Sequence, residues 1–182
     1  MSIAAVAPEL KAGTWNIDPS HSEVTFVIRH LMTKVRGTFT EFTGSVQIAE
    51  ELGESTATAE IKMASLDTRN ADRDAHVRTA DVLDVEKYPT MTFNTKGVRA
   101  EGDEYYLDGD LTIKDVTRPL SLRVEFNGVG EDPWGGTRAG FSAETTINRQ
   151  DWGIEFDIPL KGEKALLSDK VELQLEVQAV LA

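Results

Sequence analysis

Residues 104–127, EYYLDGDLTIKDVTRPLSLRVEFN, decide the fold. Tyr105, Leu107, Gly109, Leu111 and Ile113 share one side of an extended chain, and Tyr106, Asp108, Asp110, Thr112 and Lys114 the other. After a short link at Asp115 to Arg118, Leu120, Leu122, Val124 and Phe126 alternate with Ser121, Arg123, Glu125 and Asn127. Successive side chains of a strand point to opposite faces, so this period of two predicts strands with one apolar and one wet face. The short link suits a hairpin.

Working outward, the same alternation recurs. It carries Val24, Phe26 and Ile28; Ala57, Ala59, Ile61 and Met63; Met91 and Phe93; Ala139 to Ile147; and Val171 to Ala179. Between Val35 and Ile48 the phase flips near Thr40–Glu41, because Val35, Gly37 and Phe39 are odd while Phe42, Gly44, Val46 and Ile48 are even. A bulge there keeps the apolar face inward. The sum is eight strands, and eight amphipathic antiparallel strands hide one face and lose their edges by closing on themselves. The expected fold class is all-β, a single eight-stranded antiparallel up-and-down barrel.

Two segments break the pattern. NADRDAHVRTADVL, residues 70–83, predicts a short inserted helix, with Pro89 ending the connection that follows. Arg149 to Asp169 is long for a hairpin loop and carries Trp152, Ile154, Phe156, Ile158, Leu160, Leu166 and Leu167. Long apolar loops inside a small domain are usually functional. Residues 1–12 read as an N-terminal extension and 13–182 as the barrel domain.

Composition narrows the function. The 182 residues carry 19 Lys and Arg against 31 Asp and Glu, a formal charge of −12. Such a surface repels phosphate backbones and anionic headgroups, so neither nucleic-acid binding, docking by charge on a membrane nor stable membrane insertion is expected. The absence of cysteine excludes disulfides, thiolate metal sites and cysteine nucleophiles. The first positive charge is Lys11, and the apolar run Ile3 to Ala7 stops at Pro8, which does not make a signal peptide. A cytoplasmic protein is expected. Homodimer formation is compatible with this surface, but no segment encodes it.

The histidines His21, His30 and His76 all fall in the first 76 residues and could together hold a catalytic zinc. Nine extended residues separate the first two by roughly 30 Å, so we read all three as hydrogen-bonding groups and expect no metal or other cofactor. Ser22 beside His21 does not make a nucleophile–base pair, since strand neighbours point to opposite faces. The densest polar motif is Asp67-Thr68-x-Asn70-x-x-Arg73-Asp74-x-His76. Structurally, Asp67 and Thr68 would cap the helix while Arg73 pairs with a carboxylate. Functionally, Arg73 or His76 would meet a ligand's head over an apolar cavity. Phe26, Phe39, Phe42, Phe93, Phe126 and Phe141 lie on inward faces, shared with Gly37, Gly44 and Gly109, where a missing side chain leaves space or lets the backbone bend. An eight-stranded barrel either fills itself with side chains or holds one small ligand, and pattern alone leaves both open.

Several fragments together resemble the YceI family of lipocalin-like, polyisoprenoid-binding bacterial proteins. They are W-x-I-D-P-x-H-S at 15–22, V-x-F-x-I-x-H at 24–30, G-x-F-x-x-F-x-G at 37–44 and L-D-T-x-N-x-x-R-D-x-H at 66–76. K-Y-P-x-M-x-F at 87–93, G-x-L-T-I at 109–113, N-R-x-D-W-G at 148–153 and L-S-D-x-V at 167–171 follow in order. The resemblance implies a barrel whose apolar pore holds an isoprenoid or other long-chain lipid, such as a polyprenyl chain, prenyl diphosphate or quinone, with no catalytic step. It places Phe26, Ile28, Phe39, Phe42, Ile61, Met63, Phe93, Leu111, Leu122, Phe126 and Phe141 on the pore. His30, Arg73, His76 and Trp152, with Arg149 and Asp74, are our assignments for the mouth. Val82-Leu83 stands where the family usually has an aromatic pair. Under this reading Phe126→Asp abolishes lipid binding and Arg73→Ala changes headgroup choice. Two rivals stand beside it: a metal-dependent enzyme using the histidines, and a ligand-free stress or interaction barrel filled with its own side chains.

Overall fold

Eight staves form the wall, and three of them are each built from two strands. The computed structural model describes residues 1–155 and 167–182. The strands are β1 (Gly13–Ile17), β2 (Glu23–His30), β3 (Thr33–Phe39), β4 (Phe42–Ile48), β5 (Thr56–Lys62) and β6 (Leu66–Asp67), then β7 (Thr90–Glu101), β8 (Glu104–Ile113), β9 (Val116–Glu131), β10 (Thr137–Asn148) and β11 (Leu167–Leu181). β1 and β2 both run along β11, with Trp15 opposite Leu181 and Phe26 opposite Leu173. β4 pairs with β1 and β5, while β3 pairs with β2 and β6. The β1–β11 pairing closes the ring, and every pairing is antiparallel.

The sequence motifs explain where the staves break. A 3₁₀ turn at Pro19–His21 separates β1 from β2, and Asp18 caps it by accepting from the Ser20 amide. At Thr40–Glu41 the Thr40 amide donates to the Ser65 carbonyl at 3.2 Å and the Glu41 carbonyl accepts from the Lys62 amide at 3.0 Å. The phase change there leaves both Phe39 and Phe42 buried. The β8–β9 turn falls at Lys114-Asp115, with φ of 52° and 61°, the left-handed pair a primed hairpin turn requires. Lys114 then donates from Nζ to the carbonyls of Val82 and Gly153.

The helix near 70–83 is shorter than expected. α2 spans Ala71–Val77, and turns carry the chain onward. Thr79 Oγ1 donates to the His76 carbonyl at 2.6 Å, a local bond that competes with helix continuation. Val82 and Leu83 then turn into the core. Of the long 149–169 connection, a 3₁₀ turn at Arg149–Trp152 is described. Phe156, Ile158, Leu160 and Leu166 lie outside the described residues. The extension 1–12 contains the short α1 (Ile3–Val6), and its Ile3, Ala7 and Leu10 pack on Trp15, Ile48, Ala139 and Ala179. No described helix is long and apolar enough to cross a membrane.

Candidate functional site

One end of the barrel, here the mouth, gathers α2, the β2–β3 and β8–β9 turns and the Arg149–Trp152 turn. Beneath them lies a cavity of about 520 Å³. Its wall is apolar below, formed by residues such as Phe26, Ile28, Met63, Met91, Ile113, Ile147, Val171 and Leu173. Its rim is polar, formed by His30, Thr68, Asn70, Asp72, Arg73, His76 and Arg149. Further depressions on the outer barrel face have a different chemistry, with Arg123, Glu104, Glu144 and Glu176 among their lining residues. There Arg123 bridges Glu104 and Glu144, so that charge is already satisfied at the surface.

The rim is built from the Asp67–His76 motif, with roles that differ from the expectation. Asn70, not Asp67 or Thr68, caps α2, its side chain accepting from the Arg73 amide at 3.0 Å. Asp74 is buried and accepts from the Thr68 amide and, at 2.5 Å, from the Thr68 hydroxyl. Arg73 donates from Nε to Thr68 Oγ1 at 2.8 Å and from Nη2 to the Thr68 carbonyl at 2.7 Å. The carboxylate partner expected for Arg73 is not found among the described residues. Its guanidinium instead borders the cavity, held by one threonine. Arg149 is only 2% exposed and donates to the carbonyls of Ser168 and Ile154, with Asp169 at 3.3 Å. It fixes the second wall of the mouth.

Of the residues singled out in the sequence, Phe26, Ile28, His30, Phe39, Met63, Arg73 and His76 are brought together around the cavity. Phe42, Ile61, Phe93, Leu111 and Leu122 are buried in the same core without bordering it. Trp152 is buried beside them and donates from Nε1 to the Leu111 carbonyl at 3.0 Å. Phe126 and Phe141 stand at the opposite end, the base, with ring centroids 5.6 Å apart. The Phe126→Asp substitution would therefore strike the base. Lining residues that the site assignment missed include Val35, Val82, Leu83, Ile147, Val171 and Leu173. The strand alternation had already turned Val35, Ile147, Val171 and Leu173 inward, but gave no depth along the axis.

The histidines divide between the ends. His30 and His76 border the cavity, and His76 Nε2 lies 3.4 Å from Asp81. His21 lies at the base, where its Nδ1 faces Asp18 at 2.8 Å and Ser20 Oγ at 3.1 Å. Both partners meet the same ring nitrogen, unlike a triad, in which base and orienting acid use different nitrogens. The Ser22 hydroxyl donates to the Gln178 carbonyl instead. Asp18 also binds Arg138 at 2.7 Å, and that guanidinium, with the Ser20 and His21 hydrogen bonds, holds its carboxyl well below the usual carboxylate range. Among the described residues, no three His, Asp or Glu side chains converge to hold a metal.

A family model, the YceI-like domain, matches residues 15–179. The UPF0312 protein plu2095 of Photorhabdus laumondii is 40% identical over 159 residues, covering 86% of this chain and 83% of its own. Protein YceI of Escherichia coli O157:H7 is 38% identical over 173 residues, covering 93% and 87%. Among solved structures, the Campylobacter jejuni YCEI protein superposes with a TM-score of 0.70 at 29% identity, over 85% of this chain and 90% of that one. Burkholderia cenocepacia BcnA gives a TM-score of 0.75 at 22% identity, over 89% and 98%. A polyisoprenoid binding domain from Saccharophagus degradans gives 0.70 at 14%, over 94% and 100%, a likeness of fold. Carried by a matched model over nearly all its length and by relatives spanning most of theirs, this chain belongs to the YceI-like domain family.

Proposed function

We propose that the protein binds an isoprenoid lipid, with the chain in the apolar cavity and the head at the Arg73–His76 rim, and that it acts as a carrier and not an enzyme. The observation that carries this reading is the cavity itself, apolar in its depth and polar only at its rim. Its volume of about 520 Å³ falls inside the range of roughly 300–1,000 Å³ usual for small-molecule sites. Each methylene-sized group moved from water into such a wall gains about 0.8 kcal/mol, so a prenyl tail binds without tail-specific polar contacts. The family membership and the isoprenoid-binding description of one structural neighbour support the same class of ligand.

The rim favours a neutral oxygenated head over a diphosphate. Arg73 supplies the least engaged guanidinium, Arg149 is already surrounded by acceptors, and Asp72 adds a negative charge to the lining. A quinone or prenyl alcohol oxygen needs one donor, whereas a diphosphate needs several cations.

Native mass spectrometry of freshly purified protein, paired with lipid analysis of its organic extract, tests the proposal. A bound mass matching a prenyl lipid is expected. Protein that is empty and also refuses added prenyl lipids would favour a barrel that binds nothing small.

A further inference from the structure

The turn joining β2 to β3 consists of Leu31 and Met32, between the paired His30 and Thr33. Tight hairpin turns ordinarily use Asn, Asp or Gly, because these tolerate left-handed backbone. Here Leu31 holds φ at 54°, with its side chain 50% exposed, and Met32 beside it is 88% exposed. Leu31 thus forgoes backbone preference and both residues forgo apolar burial, the kind of local outlier that marks functional positions.

The charge around this tip runs against that of the whole chain. Residues 24–40 contain Arg29, Lys34 and Arg36 and no Asp or Glu, in a protein of net charge −12. Arg29 and Lys34 stand directly opposite each other across the hairpin. Like charges in that position repel each other. Lys34 is 3.9 Å from Glu172, and Arg36 donates to Gln174, so among the described residues the hairpin's neutralising contacts are sparse.

The hairpin is also one lip of the cavity. His30 and Val35 line it from this side, and Thr68, Asn70, Arg73 and His76 from the other. Between these two walls β3 pairs with β6 only at Thr38 and Phe39, and from Thr33 to Gly37 its outer edge has no strand partner among the described residues. A second exposed tip, the turn carrying Trp134 at the base, sits beside Glu131 and Asp132 and lacks this basic setting.

We infer that the Leu31-Met32 tip docks the barrel mouth on an anionic phospholipid surface, with Arg29, Lys34 and Arg36 against the headgroups and the two apolar side chains among the acyl chains. The net charge hides this local patch, because screening confines each interaction to about 10 Å. Docking itself stands independently; that an isoprenoid then passes between bilayer and cavity rests on the function proposed above.

The test is co-sedimentation of the full chain with vesicles of phosphatidylglycerol and phosphatidylcholine, or of phosphatidylcholine alone, beside farnesol binding in solution. The protein is expected to pellet with the anionic vesicles at low salt and to release as salt rises. Arg29→Gln with Lys34→Gln should weaken this about fivefold per cation. Leu31→Gly with Met32→Asn, which puts glycine at the left-handed position, should fold normally, bind farnesol normally and lose vesicle binding about tenfold. Equal pelleting of this double variant, or no pelleting of the parent on anionic vesicles, overturns the inference. Docking without farnesol binding would overturn the proposed function and leave the docking surface standing.

Discussion

The mouth and the base of this barrel are made from the same alternating strands and end in opposite states. At the base, Trp15, Ala139 and Ala179 are wholly buried under Ile3, Ala7 and Leu10 of the extension, and Trp15 Nε1 donates to the Lys11 carbonyl at 3.0 Å. At the mouth, inward residues such as Phe26, Ile28 and Leu173 are only half-buried and border a cavity. The covers differ in chemistry. The base is covered by small and aliphatic side chains that seat on the tryptophan. The mouth is covered by a segment that contributes Val77, Val82 and Leu83 but spends Thr68, Asn70, Arg73 and Asp74 on hydrogen bonding to one another. A cover occupied with its own polar network cannot fill the space beneath it. One wall thus serves a packed base and, under the proposed function, a binding mouth.

That division can be broken first at the base. Trp15→Ala removes the most buried large side chain and should cost about 3–5 kcal/mol, read as a large fall in the denaturation midpoint. The variant's remaining folded molecules should bind farnesol as the parent does. Ile28→Trp is the converse, since it fills the cavity from a half-buried position. Farnesol affinity should drop about a hundredfold if a few buried methylene contacts are lost, while melting temperature barely moves. If both variants lose stability and binding together, the two ends are not separate.

Gly37→Ala sharpens the comparison at a finer scale. An added Cβ there would collide with the Phe26 ring, which lies over the glycine and 5.6 Å from the Phe39 ring. The ring must swing into the cavity, so binding should weaken several-fold, measured by the same titration. The smallest effect concerns pH. Asp18 is held below its ordinary value of 3.8 chiefly by Arg138, so the folded state gains stability above that value. This gain is lost as pH falls below it toward the depressed folded value. Arg138→Gln should flatten the fall in melting temperature below about pH 4 without changing farnesol affinity at neutral pH.

Much of this architecture is legible in the amino-acid order, for a physical reason. A period of two is imposed by strand geometry wherever one face is wet, so the staves and the phase change at Thr40–Glu41 show directly. Height along the barrel does not. Phe26 and Phe126 share inward parity, yet pairing register carries Phe26 to Leu173 and Phe126 to Phe141, near opposite ends. Register depends on partners distant in sequence, so inward parity alone does not separate the phenylalanines of the mouth from those of the base. Gly37 was expected to leave space or bend the backbone, but the space is taken by the Phe26 ring. The rim motif showed its residue types but not its wiring. Asp, Asn and Thr are interchangeable as caps, and only the fold decides that Asn70 caps α2 while Thr68 serves Asp74 and Arg73.

The central claim is that the mouth cavity is a binding site for an isoprenoid chain. Calorimetric titration with farnesol at several temperatures tests it most directly, because burial of apolar surface gives a negative heat-capacity change whatever the sign of the enthalpy. The account predicts one farnesol per protein, a negative heat-capacity change, and loss of the signal in Ile28→Trp. Absence of binding to the parent protein, or undiminished binding to Ile28→Trp, would contradict it.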